Sequence, residues 1–242
     1  MSESESTRND QTTKILVSIW APAIDHFNRK VIASCLRRDA FLDRVLAHEA
    51  KMLALEVTTP NSDQARRYIE NELRNIDSKP VNLKLHAETV RVIRESCDAV
   101  NTPRDAFFNR VFLLLVAKRP SFEKLLSGID WRWATERLLD DYWDYFEPNL
   151  DSALTALQDI VESDPFRFYR ACIELTNRDI ERKPVNDEML IPTLHNFFVS
   201  GDFFTGPRTP KSTIGFNCYV PDWRLPSPGH EGQLAESLED IL

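Results

Sequence analysis

The sequence predicts a mainly α-helical protein with a small two-stranded antiparallel ribbon, followed by an all-α C-terminal domain and a loop-rich tail. The first observation is an internal repeat, because Arg38-Asp39-Ala40-Phe41 recurs as Arg104-Asp105-Ala106-Phe107. We call the number of residues from Arg38 to Arg104 the repeat offset, since it relates each residue of the first copy to its equivalent in the second. The second observation is that each copy begins with a short alternating apolar segment and continues with two helical patterns. The third is that Gly and Pro become frequent only after residue 200. The repeat decides how the chain is divided.

Each copy begins with a predicted strand. Apolar residues alternate with polar or outward positions in both copies: Ile15, Val17 and Ile19 with Lys14, Leu16 and Ser18, then Val81, Leu83 and Leu85 with Asn82, Lys84 and His86. Such alternation places one set on a buried face and the other set outward. Neither segment has another strand nearby in the sequence, so each edge would remain unpaired unless the two copies paired with each other. The sequence therefore predicts a ribbon made from both copies.

Two helical patterns follow each strand. The first has the i, i+3, i+7 spacing of one helix face: Ile24, Phe27 and Val31, matched by Val90, Ile93 and Cys97. In the later copy the second helix is expected to begin at Thr102-Pro103, with Thr102 as N-cap and proline in the first turn. Its apolar face is Phe107, Phe108, Val111 and Phe112, matched earlier by Phe41, Leu42, Val45 and Leu46. One copy is too small to bury a core alone, so we expect the two copies to interlock.

The predicted organisation has four parts. Residues 1–12 form a polar, disordered lead-in; residues 13–120 form the repeat domain, with copies at 14–57 and 80–120 and a helical linker at 58–79; residues 121–200 form an acidic helical domain; residues 201–242 form a Gly/Pro-rich tail. Within the linker we expect a helix from Asp63 to Ile76. In the acidic domain, apolar spacing predicts helices over 129–146, from Leu150, after Asp164-Pro165, and from Glu188 to Val199.

Composition and charge limit the classes of function. No apolar stretch approaches the ~18 residues that a membrane helix needs, and the polar N-terminus lacks the apolar region of a secretory signal. The four cysteines are scattered, without a C-x-x-C pair, which is typical of reduced thiols in a cytoplasmic protein. Residues 12–120 carry a net charge of +5 and residues 121–242 carry −11. A basic half joined to an acidic half favours a nucleic-acid surface on one side, although ordinary surface variation can also produce it.

The repeated unit resembles the ribbon-helix-helix family of DNA-binding proteins, of the MetJ/Arc/CopG type, carried as a tandem pair in one chain. The resemblance rests on the strand from Val81 to Leu85, the helix face described above, and the segment from Thr102 to Val111. The matching stretch of the first copy runs from Lys14 to Ala47. The resemblance covers about 15–57 and 80–118 and depends on pattern rather than on an invariant motif.

The resemblance implies that the ribbon lies in the major groove of double-stranded DNA, where outward side chains contact base edges. Carried over by position, these contacts are Lys14, Leu16, Ser18, Asn82 and Lys84, and the phosphate contacts at the second helices lie near Arg37, Arg38, Thr102 and Arg104. Asn82 can pair with adenine and Lys84 with guanine O6/N7. Leu16 is apolar and suits a thymine methyl group. The two copies therefore predict two unlike half-sites.

The first copy also differs in the turn between its helices. Asn101 can adopt a left-handed conformation in the second copy, but Ser34-Cys35-Leu36-Arg37 offers neither Gly nor Asn at that point. The sequence therefore leaves open whether both copies use the same turn.

These observations predict a sequence-specific DNA-binding protein, a transcriptional regulator that occludes a promoter or operator. The alternative is an antitoxin or adaptor that uses the fold, and residues 121–242, to bind a protein partner or a second copy of itself. In that alternative Lys84 only keeps an edge strand soluble. No membrane association is expected.

We expect no enzymatic activity, cofactor or metal. The sequence contains no P-loop, no G-x-G-x-x-G, no G-x-S-x-G and no H-E-x-x-H. Asp140, Asp141, Asp144 and Glu147 form an acidic run that is more typical of a solvated helix face than of a metal site. His195 and Cys218 are candidates for a nucleophile pair, and their separation in the sequence decides nothing about it.

Overall fold

The protein is described from a computed structural model, which covers residues 11–118, 121, 129–143, 164–181, 193–197 and 213–225. In the N-terminal half the elements are β1 (Thr12–Trp20), α1 (Ala21–Ala33), α2 (Arg38–Glu56), α3 (Asp63–Arg74), β2 (Ser78–His86), α4 (Ala87–Ala99) and α5 (Arg104–Val116). Two further helices, α6 (Trp131–Trp143) and α7 (Arg167–Glu181), are followed by 3₁₀ turns at Ile214–Phe216 and Asp222–Arg224. The predicted class, mainly helical with a small two-stranded antiparallel sheet, is confirmed.

The two strands pair with each other in the antiparallel sense. Ile15 lies opposite Leu83, and Val17 lies opposite Val81. The alternating apolar residues are buried on one face of the sheet, while the residues between them are exposed on the other. This is the arrangement that the alternation predicts.

Side chains from α2 and α5 cover the two outer edges of the ribbon in a reciprocal way. Asp39 accepts a hydrogen bond from the backbone N–H of Lys84 at 3.2 Å, and Asp105 accepts one from the N–H of Ser18 at 3.4 Å. Asp105 follows Asp39 in the chain by the repeat offset, and Ser18 precedes Lys84 by the same offset. The same relation links two further contacts: Asp43 with the N–H of His86 (2.7 Å) and Asn109 with the N–H of Trp20 (2.8 Å).

The turns between α1 and α2 and between α4 and α5 have the same geometry. Cys35 and Asn101, which are equivalent by the repeat offset, have left-handed φ angles of 52° and 50°. The N–H of Leu36 donates to the carbonyl of Val31, and the N–H of Thr102 donates to that of Cys97. These are the bonds of a Schellman ending, which normally has glycine or asparagine at the left-handed position. The first copy thus adopts the same turn with an unfavourable residue.

The predicted N-cap at Thr102 is wrong. Helix α5 begins at Arg104 with Pro103 as its N-cap residue, and no side chain caps it. The reason is that Thr102 belongs to the end of the preceding helix, where its N–H closes the turn and its side chain is buried.

The helical linker is present, and it ends earlier than predicted. Helix α3 begins after Ser62, whose hydroxyl accepts a hydrogen bond from the N–H of Ala65 at 3.0 Å. It ends at Arg74, before the predicted end at Ile76. The length between the copies therefore includes a helical crossover that returns the chain to β1.

The main apolar core lies between the inner face of the sheet and helices α1, α2, α4 and α5. Cys218, from the C-terminal part of the chain, belongs to this core. A second cluster joins Leu113 and Leu114 of α5 to Phe166 and Phe216. Residues from both sides of the predicted boundary at 120 thus share apolar clusters.

Part of the predicted helix from Glu188 to Val199 is wrong. Residues 193–197 form turns, because the carbonyls of Leu194 and Phe197 accept hydrogen bonds from the buried Arg110 of α5. Several predictions lie outside the described residues: residues 1–10 of the lead-in predicted for 1–12, the helix from Leu150, the rest of the helix from Glu188, and much of the Gly/Pro-rich tail. Within the described part of the chain, no helix combines the length and apolarity required to cross a membrane.

Candidate nucleic-acid interface

The outward face of the ribbon brings together the five residues predicted to contact bases. The three central cross-strand pairs of this face are Lys14 with Lys84, Leu16 with Asn82, and Ser18 with Pro80. All six residues are exposed, and Leu16 remains 57% exposed at the centre. The face is therefore a continuous accessible surface of mixed cationic, amide and apolar chemistry.

Two lysines face each other on this surface. Lys14 and Lys84 are direct cross-strand partners, an arrangement in which like charges destabilise a sheet. Among the residues that the structure describes, neither ammonium group has an anionic partner. An anion placed over this pair would relieve the repulsion.

Two guanidinium groups flank the ribbon. Arg38 donates to the carbonyl of Asn82 at 3.0 Å, and Arg104 donates to the carbonyl of Leu16 at 2.8 Å. Arg38 also forms an ion pair with Asp39, its neighbour in the chain, at 2.7 Å. Both side chains remain partly exposed, and a guanidinium has five N–H donors, so some donors remain available to a phosphate.

The N-termini of α2 and α5 lie beside these arginines at the ribbon edges. Neither helix has a side-chain cap, and Arg37, the N-cap residue of α2, is exposed. Uncapped N–H groups at a helix N-terminus suit a phosphate. Thr102 is different: it is only 1% exposed, and we therefore remove it from the predicted contact residues.

Acidic side chains also lie along both edges. Asp39, Asp43 and Asp105 bind ribbon N–H groups, as described above. At one end of the ribbon Lys79 is paired with Asp25 at 2.8 Å. The edges are therefore close to neutral, and the uncompensated positive charge is on the outward face.

A second group of charged side chains is buried between α2 and the C-terminal segments. Arg170 contacts Glu49 (2.7 Å), Glu56 (2.7 Å) and Asp164 (2.6 Å). Burial alone would raise the pKa of the Asp164 carboxyl, but the imidazole of His48, 3.6 Å away, and the hydrogen bond and charge of Arg170 lower it to about 2. Burial alone would also raise the pKa of Glu49, but its hydrogen bonds and charge interactions with His195 and Arg170 lower it.

The structure also brings His195 and Cys218 together. Nδ1 of His195 lies 3.9 Å from Sγ of Cys218, and its Nε2 lies 3.0 Å from a carboxylate oxygen of Glu49. Burial alone would lower the pKa of His195, but the hydrogen bonds with Cys218 and Glu49 and the charge of Glu56 raise it to about 9. Thiol, imidazole and carboxylate follow the order of a nucleophilic triad. All three side chains are fully buried, however, so a substrate cannot reach the sulfur in this conformation.

A metal site is not the best description of the neighbouring acidic groups. Ligand atoms of His48, Glu49 and Asp164 lie within 4.8 Å of one another. Arg170 already contacts both carboxylates, with two nitrogens on Glu49. The guanidinium of Arg170 therefore balances the negative charge of these carboxylates, and we interpret the cluster as a largely buried ion-pair network. The side chains of the acidic run at 140–147 lie outside the described residues.

Sequence reasoning missed two residues that join distant parts of the chain. Arg110 donates to the carbonyls of Leu194 and Phe216. The side chain of Asn61 donates to the carbonyl of Cys218 at 2.8 Å and accepts from the N–H of Val220 at 2.9 Å. The position of Arg110 within an apolar helix was a usable signal, whereas Asn61 in a turn-rich segment offered none.

Comparisons with known proteins give no relative. No protein-family model matches the chain, and no curated protein or solved structure is detectably similar to it. The functional argument therefore depends on the chemistry and geometry of the described residues.

Proposed function

We propose that this protein is a sequence-specific DNA-binding protein, a transcriptional regulator that places the β1–β2 ribbon of a tandem ribbon-helix-helix unit in the major groove. The observation that carries the proposal is the exposed face on which Lys14 and Lys84 lie opposite each other without a described anionic partner. A polyanion is the ligand that removes the cost of this pairing.

The reciprocal contacts support the tandem arrangement. Edge hydrogen bonds and inter-helix turns recur with the repeat offset of the sequence. Two copies related in this way form one compact unit with a single ribbon, and a two-stranded ribbon fits a major groove that is about 12 Å wide.

The side chains on the face offer complementary base contacts. Lysine can donate to guanine O6/N7, Asn82 can form two hydrogen bonds with adenine, and Leu16 can contact a thymine methyl group. Arg38 and Arg104 lie at both flanks, where phosphates of the groove walls pass. Specificity then comes from the ribbon, and positioning comes from the flanks.

The test begins with selection of bound sequences from random duplex DNA by the full-length protein. Replacing Lys14 and Lys84 by alanine together is expected to weaken binding to the selected site by about 10- to 100-fold. The control replaces Lys30 and Lys51, which are exposed on α1 and α2, and removes the same charge; it is expected to change affinity by less than about 3-fold. The proposal is wrong if no sequence is enriched, or if both double variants bind alike.

Salt dependence gives an independent measurement. Binding through phosphates makes log K fall with log salt, with a slope of about 0.9 per phosphate contact. A measured slope near zero contradicts contact with the DNA backbone at the flanks.

A second candidate function is capture of a protein partner, as an antitoxin or adaptor. The observation that favours it is Leu16, a large apolar side chain that is 57% exposed in the centre of the same face. Leu16→Ser is then expected to abolish binding of the protein partner. The full chain is required for this test, because the apolar clusters include residues from both halves.

A further inference from the structure

The repeat offset can be applied to the outward face of the ribbon. Leu16 and Asn82 are equivalent by this offset and are also cross-strand partners. An approximate two-fold axis therefore passes through this pair. By the same offset, Lys14 corresponds to Pro80, and Lys84 corresponds to Ser18.

The two ends of the face consequently differ in chemistry. On one side of the axis Lys14 and Lys84 form a pair, and on the other side Ser18 and Pro80 occupy the equivalent positions. We call these the lysine end and the serine-proline end. Lys79, near the serine-proline end, holds its ammonium against Asp25 at 2.8 and 3.0 Å. Among the described residues of the two strands, the uncompensated positive charge therefore lies at the lysine end.

The arginine hydrogen bonds at the flanks do not share this asymmetry, although Arg37 at the start of α2 is matched by Pro103 at the start of α5. Arg38 and Arg104 make the same hydrogen bond to opposite strands, and both second helices begin beside the ribbon. Through Arg38 and Arg104 the two flanks would offer similar contacts to a duplex backbone, whereas the base edges would meet different groups. Serine is short, and proline has a side chain without a polar atom, so the serine-proline end offers little discrimination between base pairs.

We propose that the DNA site of this protein is directional and not palindromic, with guanine contacts in one half only. This inference rests on the proposed DNA-binding function. The lysines lie two residues from the axis, a distance of about 7 Å along the strand. At about 3.4 Å per base pair, the recognised guanines lie about two base pairs from the centre of the site.

Two artificial palindromes made from the selected site test the inference with the full-length protein. The palindrome that repeats the half contacted by the lysine end is expected to bind within about 3-fold of the selected site. The palindrome that repeats the other half is expected to bind at least about 10-fold more weakly. Methylation of guanine N7 is expected to interfere in one half only.

Single substitutions at equivalent positions measure how much each end of the face contributes to DNA affinity. Lys84→Ala is expected to weaken binding to the selected site by about 10-fold and to reduce its preference for guanine, and this loss is expected to be at least about 3-fold larger than the loss in Ser18→Ala. Ser18→Lys is expected to strengthen binding to the lysine-half palindrome. Unchanged circular dichroism and thermal unfolding serve as the folding control for these exposed positions.

The outcomes separate the two proposals. Equal affinity for both palindromes, or interference in both halves, overturns the directional site and leaves DNA binding intact. Enrichment of no DNA sequence overturns the proposed function and the directional site together.

Discussion

Replacing Arg110 by methionine is expected to cause a large loss of stability. Arg110 is fully buried on α5. Its guanidinium donates to the carbonyls of Leu194 (2.7 Å), Phe197 (3.0 Å) and Phe216 (3.2 Å), and it lies 3.6 Å above the ring centre of Phe197. Burial lowers the pKa of Arg110 to about 10, so the group is still charged at neutral pH. Methionine has a similar length but cannot donate a hydrogen bond.

The magnitude follows from two opposing contributions. The hydrogen bonds from this charged donor to the three carbonyls, at about 1.5–3 kcal/mol each, are lost, together with a longer one (3.4 Å) to Oδ1 of Asn217, and the carbonyls become unsatisfied. In return, the cost of burying a charge is removed, which recovers several kcal/mol; no described carboxylate forms an ion pair with Arg110. The net expectation is a loss of about 2–4 kcal/mol in the free energy of unfolding.

Urea unfolding monitored by circular dichroism measures this loss. The control is Arg44→Met, which changes the equivalent residue of the first copy, where the side chain is exposed; it is expected to stay within about 0.5 kcal/mol of the parent protein. Because Arg110 holds residues 193–197 and 213–217 against α5, we also expect limited proteolysis to cut the C-terminal segments of Arg110→Met earlier. Equal unfolding free energies for the two variants would refute the structural role assigned to Arg110.

Three further predictions concern other residues of the scaffold. Cys35→Asn is expected to stabilise the protein by about 1 kcal/mol in urea unfolding, because asparagine tolerates the left-handed turn better, and Asn101→Cys is expected to destabilise it; a stability loss in both variants would contradict this explanation. The pKa of His195 is raised above its unfolded value of 6.5 to about 9. The stabilisation that the protonated imidazole gives to the folded state is therefore complete below pH 6.5 and is lost as the pH rises towards 9. Stability is therefore expected to fall by about 2 kcal/mol between pH 7 and 9, and this fall should disappear in His195→Gln but persist in a variant of an exposed histidine. Asn61→Ala is expected to cost about 2–4 kcal/mol in thermal or urea unfolding, since the buried carbonyl of Cys218 and the buried N–H of Val220 lose their side-chain partner and the carbonyls of Val100 and Asn101 lose a longer hydrogen bond; a change below about 0.5 kcal/mol would exclude that role.

The ribbon and its helices were predictable because their signals are local and occur twice. Alternation of period two identifies the buried face of a strand without knowledge of the partner, and the repeat then identifies the partner. Lys14 and Lys84 could thus be placed on the same face from the sequence. Their direct opposition could not, since it depends on the register of the two strands.

The remaining features depend on contacts between residues that are distant in the sequence. Glu49 and His195 are 146 residues apart, and nothing in either local sequence indicates the pairing. Cys35 adopts a left-handed φ that its own preference opposes, because the surrounding helices fix the turn. Thr102 satisfied the sequence rule for an N-cap, but tertiary packing buried it just before the true cap at Pro103.

The acidic residues beside the ribbon bear directly on the choice between the two candidate functions. A protein partner that binds by adding a strand needs free N–H and C=O groups at a sheet edge. Asp39 and Asp105 already accept N–H groups from opposite edges, and Arg38 and Arg104 already donate to the edge carbonyls. A strand-adding partner would have to displace all four side chains. The outward face, by contrast, can be contacted without breaking any of these bonds, and its two opposed lysines favour a ligand that carries negative charge.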